Sequence, residues 1–373
     1  MRTRGLTVVS AILATGMLTM GAGVAAAAVV KSAARVKPAA RAAAATAERG
    51  ARKLTRITTE AALASPPGPR VSAGICSAPP AYKALAVQLS AGIQAELRGR
   101  AGNHAVTVYD AVTRVACHAN DRQHFASASI VKALILAALL RWHQEGGTPL
   151  SSWEQGEATR MITQSDNNAA TALWNEVGAS RLQHFLNLAG MSQTQLGTGG
   201  YWGLTQVTAH DEMLLLKLLT LPNPVLSPAS RAYQLGLMAR VTPSQRWGAP
   251  AGAPSGVTVH VKNGWLPESD GWHINSLGAF TGKGKNYLIA VLTDDNPSEG
   301  YGIDTVENVA RVVHRDLNAA GSASSARLAA NVAPTPTASA ATAAATASAA
   351  TTQGQPSSWA WVPALPTPPR PPR

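Results

Sequence analysis

One apolar segment, residues 129–143 with the sequence SIVKALILAALLRWH, constrains the fold more than any other feature of the chain. It is long enough for about four helical turns, and Gly146 and Gly147 mark its end. A helix that is apolar on all sides is buried in the core of a large domain. The chain must therefore fold into a domain that surrounds this helix on nearly every side.

Charge divides the chain into a neutral middle and two basic ends. Of the formal net charge of +12, residues 1–70 carry 11 Lys or Arg against 2 acids, and residues 320–373 carry 3 Arg and no acid. Residues 71–319 hold 18 basic and 18 acidic residues. Because a nucleic-acid-binding domain is expected to be basic, the folded part is predicted to have no nucleic-acid partner. An anionic-polymer binder that acts through its ends is the alternative class.

The N-terminus has the pattern of an export signal. Arg2 and Arg4 precede an apolar stretch over residues 6–24, and a run of alanines over residues 25–28 offers cleavage sites. An uncleaved signal anchor is the alternative. We therefore predict a signal peptide over residues 1–30, a disordered basic Ala-rich segment over 31–71, a folded domain over 72–320 and a disordered Ala/Thr/Pro-rich tail over 321–373.

The chain has two cysteines, Cys76 and Cys117. In a cytosolic protein they would be buried thiols, whereas in an exported protein a pair more often forms one disulfide. With an export signal, we expect that disulfide, worth ~2–4 kcal/mol. The nine histidines show no metal-ligand spacing such as H-E-x-x-H, so no metal site is predicted.

Hydrophobic periodicity predicts the order of secondary structure. Helices are predicted at 80–98, 129–143, 153–164, 167–177, 179–189, 208–220 and 304–317, and strands at 104–109, 115–118, 257–262, 274–280 and 287–293. Short linkers with Gly or Pro favour an antiparallel meander for the last three strands. An α+β fold follows, in which helices cover an antiparallel sheet and the first two strands join the last three.

Three short motifs could carry chemistry. An S-x-x-K motif at residues 129–132 starts the apolar helix, where a desolvated lysine amine could activate the serine hydroxyl on the same face. An S-D-N motif at 165–167 opens another helix, and a K-N-G motif at 262–264 lies on the first strand of the meander. The alternatives are ordinary helix residues, a helix N-cap and a solvated strand lysine.

In this order, the three motifs resemble those of the class A β-lactamase-like serine hydrolases and, more broadly, of the penicillin-binding D,D-peptidases. The resemblance covers about residues 75–319. The segment AVTVYDAVTRVACHANDRQHFASASIVKALIL is similar to the family's first hairpin and nucleophile helix, and MITQSDNNAATALW is similar to its S-D-N helix. The resemblance implies a five-stranded antiparallel sheet flanked by helices, with an interleaved all-α subdomain.

The resemblance also implies roles for the motif residues. Ser129 would be the acylated nucleophile, and Lys132 would be its general base or proton relay. Ser165 would pass a proton to the leaving nitrogen. Asn167 would bind the side-chain amide of the substrate, and Lys262 would supply positive charge beside the site.

The K-N-G strand is expected to form the opposite edge of the site. The backbone N–H groups of Ser129 and Trp265 would form the oxyanion hole, beside Gly264. The family's K-T-G is K-N-G here, and the amide of Asn263 still offers donors for the substrate carboxylate that the threonine hydroxyl would contact. Arg246 is a second candidate for that carboxylate, because arginine binds carboxylates in a bidentate manner. A surface arginine is the alternative.

A further departure from the family concerns deacylation. Class A enzymes deacylate with a loop glutamate after the S-D-N helix. The corresponding segment here, MSQTQLGTGGYWGLTQVTAHDE, has no acid before Asp211 and Glu212, and Glu176 comes too early. We therefore expect an acyl-enzyme on Ser129 to hydrolyse slowly.

Together these features predict an exported, monomeric serine hydrolase without a cofactor. The expected substrate is a β-lactam or a D-Ala-D-Ala-like peptidoglycan stem peptide. The basic ends are expected to associate with an anionic cell wall. A D,D-carboxypeptidase and a non-catalytic cell-wall binder with the same fold are the alternatives.

Overall fold

The computed structural model describes residues 71–332, with side chains described for residues 71–319. The predicted signal peptide, the basic segment up to residue 70 and the tail after residue 332 lie outside the described residues. By its contacts the chain divides into two compact units, and the boundary in the sequence falls between Ser324 and Ser325. Of the second unit, only residues 325–332 are described, and they are helical.

The first unit contains an antiparallel sheet and a set of helices. Its strands are β1 (Val71–Ala73), β2 (Cys76–Ala78), β3 (Asn103–Asp110), β4 (Ala116–Ala119), β5 (His124–Ala126), β6 (Gln206–Thr208), β7 (Thr258–Glu268), β8 (Gly271–Gly282) and β9 (Lys285–Asn296). Its helices are α1 (Lys83–Leu97), α2 (Val131–Gly146), α3 (Ser152–Thr163), α4 (Asn167–Ala189), α5 (Ala209–Thr220), α6 (Pro228–Met238) and α7 (Glu299–Val332), the last of which continues into the second unit.

The main sheet has seven strands in the order β1-β2-β4-β3-β9-β8-β7, all antiparallel, and β5 and β6 form a separate pair. The expected junction between the early hairpin and the late meander is β3 against β9, paired from Asn103–Asp294 to Asp110–Tyr287. The predicted count of five strands was too low, because β1 and β2 extend the β4 edge. Each has only three residues, too few for a period-2 pattern to be recognised.

The apolar segment at residues 131–140 is buried throughout, as predicted. It packs within a core that includes α3, α4, α5 and α6 on one face of the sheet, while α1 and α7 form a second core on the other face. Alternate residues of β3 enter the two cores: Ala105 lies in the first and Val106 in the second. This division corresponds to the expected all-α subdomain beside a helix-covered sheet.

Three helices differ from the prediction. The sequence analysis did not predict α6, an 11-residue helix that has Pro228 in its first turn and contains Gly236. Helix α7 begins before residue 304 and ends after residue 317. The two helices predicted at 167–177 and 179–189 form one helical run, interrupted at Gly178 by non-helical dihedral angles (φ 73°, ψ 156°).

Cys76 and Cys117 form the expected disulfide. They lie directly opposite each other in the β2–β4 ladder, so the bond fastens the short edge strands to the sheet. Within the described part of the chain, no helix combines the length and the hydropathy needed to span a membrane.

Candidate active site

Ser129 lies in a short 3-10 turn, Ala128–Ile130, that leads directly into α2. Ala128, the residue before it, has a positive φ of 46°, which is uncommon for a residue with a side chain and costs backbone energy. The turn also contacts β7 and β8. The serine is therefore held at the junction between the buried helix and the edge of the sheet, where strained backbone is often functional.

Lys132 lies one turn further along and is completely buried. Its Nζ donates to the backbone carbonyl of Ser165 at 2.6 Å, to Ser165 Oγ at 3.0 Å and to Asn167 Oδ1 at 2.7 Å. The three acceptors come from the start of α4, which α2 packs against. These bonds bring the first two motifs together in space.

Lys262 joins the same cluster from β7. Its Nζ donates to Ser165 Oγ at 3.0 Å and to the carbonyl of Asn263 at 2.7 Å, and its side chain is fully buried. The hydroxyl of Ser165 therefore bridges the amines of two buried lysines. Ser165 itself has a positive φ of 57°, a second strained residue in the cluster.

The surroundings of the two lysines favour their neutral forms. Burial lowers the pKa of Lys132 to about 7, although the Asp166 carboxylate opposes this shift. Burial also lowers the pKa of Lys262 well below its usual value, and the neighbouring charge of Lys132 lowers it further. A lysine with a pKa near 7 can accept a proton at neutral pH.

The hydroxyl of Ser129 has no hydrogen-bond partner among the described residues, and the side chain is partly exposed. The bonds of Lys132 go to Ser165 and Asn167 instead. Catalytic hydrogen bonds are often long before substrate binds, so this arrangement leaves the hydroxyl free to approach an acyl carbon.

Gly264 is where β7 touches the turn of Ser129. A methyl group on Gly264 would lie 2.7 Å from the backbone nitrogen of Ser129 and 2.8 Å from that of Ile130, closer than real Cβ contacts allow. Only glycine permits this approach. It places β7 directly against the turn of Ser129, and an oxyanion hole formed by the N–H groups of Ser129 and Trp265 stays a prediction.

The structure corrects the expectation for Asn263. Its Nδ2 donates to the carbonyls of Gln245 (3.0 Å) and Trp247 (2.9 Å), and its Oδ1 accepts from the hydroxyl of Ser276 (2.6 Å). The side chain is 1% exposed. Both donors and the acceptor already have partners, so the Asn263 amide is not available to a substrate carboxylate.

Arg246 also lies outside the lysine cluster. Its guanidinium donates to the carbonyls of Ala239 at 2.9 Å and Val259 at 3.2 Å, which ties the end of α6 to the start of β7. No hydrogen bond links it to Ser129, Ser165 or either lysine within the described chain. These bonds give Arg246 a structural role, and its contact with a substrate carboxylate stays a prediction.

The other two residues of the S-D-N motif, Asp166 and Asn167, have different contacts. Asn167 is exposed, and Lys132 holds its Oδ1, which leaves its NH₂ group facing away from that bond. The Asp166 carboxylate accepts from the N–H of Ala169 at 2.8 Å and caps α4. Asp166 therefore has the N-cap role that was the alternative interpretation of the S-D-N motif.

Sequence reasoning missed Trp202. This residue lies in the segment between α4 and β6, and its ring lies 4.9 Å from Lys132 Nζ. Its Nε1 donates to Thr171 Oγ1 at 3.0 Å. Glycines at positions 199, 200 and 203 surround the Tyr201–Trp202 pair, a signal that the backbone turns sharply there to present an aromatic side chain.

The same segment was expected to lack a glutamate near the site. In the described residues, no carboxylate hydrogen-bonds to Ser129, Lys132, Ser165 or Lys262. Glu176 is exposed on α4. Glu212 is completely buried near the start of α5 and its carboxylate has no hydrogen-bond partner there.

The comparisons with known proteins agree on the fold. Residues 156–317 match the family described as the β-lactamase enzyme family; this range includes Ser165 and Lys262 and begins after Ser129. The putative lipoprotein LppW of Mycobacterium tuberculosis is 27% identical over 169 residues, which cover 43% of this chain and 54% of LppW. LppW of Mycobacterium bovis matches equally. The chain spans about half the length of the curated relatives it matches.

Three solved structures illustrate the structural similarity. The TLA-3 extended-spectrum β-lactamase is 18% identical with a TM-score of 0.55, and the match covers 62% of this chain and 98% of that one. A class A β-lactamase from Mycobacterium abscessus is 19% identical with a TM-score of 0.55, covering 62% and 99%. An acyl-enzyme complex of a PBP-A variant with penicillin G has the same identity and TM-score, covering 62% and 97%. The described chain therefore has the fold of the class A β-lactamase-like serine enzymes.

Proposed function

We propose that this protein is an exported serine hydrolase that transfers an acyl group to Ser129 from a β-lactam or a D-Ala-D-Ala-like stem peptide, and releases it slowly. The observation that carries the proposal is the bridge at Ser165, whose hydroxyl hydrogen-bonds to two fully buried lysines beside an unpartnered serine. Two lysines are seldom buried together. A serine hydroxyl that hydrogen-bonds to both amines can pass protons between them, whereas burying two lysines together does not favour stability.

The acylation step follows from these positions. The Lys132 amine takes the proton of Ser129 as the hydroxyl oxygen bonds to the substrate carbonyl carbon. The negative charge that develops on the carbonyl oxygen is stabilised by the N–H groups of Ser129 and Trp265. Ser165 then gives its proton to the leaving nitrogen as the C–N bond breaks, and regains one from the lysine pair.

Asn167 and Lys262 would position the substrate during this step. The free NH₂ group of Asn167 can donate to the side-chain amide of the substrate. Burial and Lys132 favour the neutral form of Lys262, on the other side of Ser165. A bound substrate carboxylate would raise the pKa of Lys262 and favour its charged form, because an opposite charge nearby stabilises a protonated amine. Because Asn263 and Arg246 hold backbone carbonyls, we assign neither of them to that carboxylate.

We propose slow hydrolysis of the acyl-enzyme because no carboxylate among the described residues is placed to activate the attacking water. Hydrolysis of the ester on Ser129 requires activation of a water molecule, and a positioned general base contributes ~10²–10⁴ in rate. The segment where class A enzymes carry a glutamate presents the Trp202 ring to Lys132. An aromatic ring cannot accept the proton of that water.

The proposal places the enzyme outside the cytoplasm. The predicted signal peptide and the Cys76–Cys117 disulfide support this location. A relative described as a putative lipoprotein agrees with it. The basic ends would then associate with anionic cell-wall polymers, and the folded domain would act as a monomer.

Mass spectrometry of the intact protein with a penicillin tests the proposal. We expect one adduct per chain on the wild type and on a surface control, Ser152→Ala. No adduct is expected on Ser129→Ala. A wild type without an adduct, or an adduct that persists on Ser129→Ala, would contradict acylation at Ser129.

Three further measurements distinguish the alternatives. A D,D-carboxypeptidase would release D-Ala from a D-Ala-D-Ala-terminated peptide, in a reaction lost in Ser129→Ala. A non-catalytic cell-wall binder would keep its affinity for peptidoglycan in Ser129→Ala and form no adduct. An anionic-polymer binder would lose its binding when residues 1–70 and 321–373 are removed.

A further inference from the structure

The hairpin between β7 and β8 gathers three metal-binding side chains outside the Ser129 site. Glu268 is the last residue of β7, Asp270 lies in the turn and His273 follows on β8. Their ligand atoms all lie within 4.8 Å of one another. The β-ladder pairs Glu268 with Gly271 and Leu266 with His273, so Glu268 and His273 share one face of the sheet.

His273 provides an independent sign of a ligand. Its side chain is only 8% exposed, yet neither ring nitrogen has a hydrogen-bond partner among the described residues. A buried polar group without a partner is costly. The lone pair of a neutral imidazole is a common metal ligand, and a bound ion would satisfy it.

The two carboxylates provide the charge. Glu268 and Asp270 are exposed, and neither belongs to an ion pair within the described part of the chain. Two unneutralised carboxylates beside an imidazole attract a divalent cation. Because they are exposed, their side chains can also rotate towards an ion without disturbing the core.

We propose that Glu268, Asp270 and His273 bind a Zn²⁺ ion. Zinc takes nitrogen and carboxylate ligands at ~2.0–2.2 Å, so the donor atoms of a tetrahedral site lie ~3.4 Å apart. The observed spacing reaches this value through rotation of the two carboxylates, and water takes the fourth position. Mg²⁺ and Ca²⁺ prefer sites made only of oxygen, so the imidazole selects against them.

The zinc site would lie on β7, the same strand that contacts the turn of Ser129. Glu268 lies four residues after Gly264 and three after Trp265 on β7. Zinc would fasten the two strands of the hairpin at its turn and would not touch Ser129. Zinc binding is therefore independent of whether Ser129 is acylated.

Isothermal titration calorimetry of the full-length, metal-free chain without a histidine tag tests the proposal. We expect one Zn²⁺ per chain at this site and no comparable heat with Mg²⁺ or Ca²⁺. His273→Asn should weaken zinc binding by more than the ~10–100-fold typical of a lost outer-shell partner. His184→Asn, an exposed histidine paired with Glu145, is the matched control and should keep wild-type affinity.

A double variant keeps the test decisive if His273→Asn fails to fold. Glu268→Gln with Asp270→Asn changes only exposed side chains, and it should also lose the zinc site. Zinc should raise the melting temperature of the wild type by several degrees and leave that of the double variant unchanged. Zinc affinity that is equal in the wild type, His273→Asn and the double variant would overturn the proposal, as would a wild type that binds no zinc.

Discussion

The lysine side of the site (Lys132, Ser165 and Lys262) is polar, largely buried and connected by hydrogen bonds. By contrast, the loop side (residues 192–205) presents an indole ring to Lys132 and provides no carboxylate to the cluster. Acylation and deacylation each need a base. On the proposed function, we therefore expect acylation to be faster than deacylation.

The largest effect is expected from the lysine side itself. Lys132→Met replaces the amine with an apolar chain of similar length, which suits a buried position. Because the general base is lost, acylation by a penicillin should slow by ~10²–10⁴. Adduct formation followed over time measures this rate. Lys83→Met, on the surface of α1, should react like the wild type; equal rates in both variants would rule out Lys132 as the base.

Gly264→Ala tests the close contact between β7 and the turn of Ser129. The added methyl group would lie 2.7 Å from the nitrogen of Ser129, so the strand must move and the oxyanion donors separate. Acylation should slow by ~10²–10³. Gly236→Ala, in open space on α6, is the matched control. If Gly264→Ala folds and reacts at the wild-type rate, the proposed oxyanion hole is wrong.

Trp202→Glu would give the loop side the carboxylate that it lacks. Since the new group lies near Lys132, it can activate water, and decay of the acyl-enzyme should accelerate at least ~10-fold. Trp202→Gln removes the ring without adding a base. Decay rates are measured after excess penicillin has been removed. Faster decay in both variants would show that the size of the Trp202 ring, and not the missing carboxylate, slows hydrolysis of the acyl-enzyme. Unchanged decay in both would show that another feature limits hydrolysis.

The pH dependence of acylation reports the state of Lys132. Its pKa of about 7 makes the amine mainly protonated below neutral pH. The rate should therefore rise ~10-fold between pH 5 and pH 6 and level off above pH 7 to 8. A profile that keeps rising towards pH 10 would indicate an unshifted lysine.

Substitution of Glu212 is expected to have the smallest effect, because it should leave the rates of acylation and deacylation unchanged. Burial raises its pKa to about 8, helped by Asp211. A raised pKa in the folded state means that stability falls as pH rises from about 4.5 to about 8, by up to ~1.4 kcal/mol per pH unit. Glu212→Gln should remove this fall, as measured by urea unfolding at several pH values. Slower deacylation in this variant would instead make Glu212 the missing base.

The lysine side could be predicted from sequence because its motifs are local. A serine and a lysine one turn apart lie on the same face of any helix, and a serine before Asp-Asn marks a helix start. Sequence reasoning also located the sheet junction and the buried helix. The cluster needed only the packing of these elements to become complete.

The remaining features depend on contacts between distant residues. The sequence does not show that Asn263 bonds to Ser276 and to the carbonyls of Gln245 and Trp247, which lie 13 to 18 positions away. Nor does it show that Trp202 reaches Lys132. The cluster on the β7–β8 hairpin could not be predicted from the sequence, because Glu268, Asp270 and His273 do not have the spacing of a helical zinc motif.

The relative rates of the two steps test the central claim most directly. Time-resolved mass spectrometry of the wild type with a penicillin yields the rate constants for adduct formation and decay in one experiment. We predict that the adduct reaches one per chain and that it decays at least ~100-fold more slowly than it forms, since no carboxylate among the described residues joins the lysine cluster to activate water. Rapid multiple turnover without accumulation of an adduct would contradict the account.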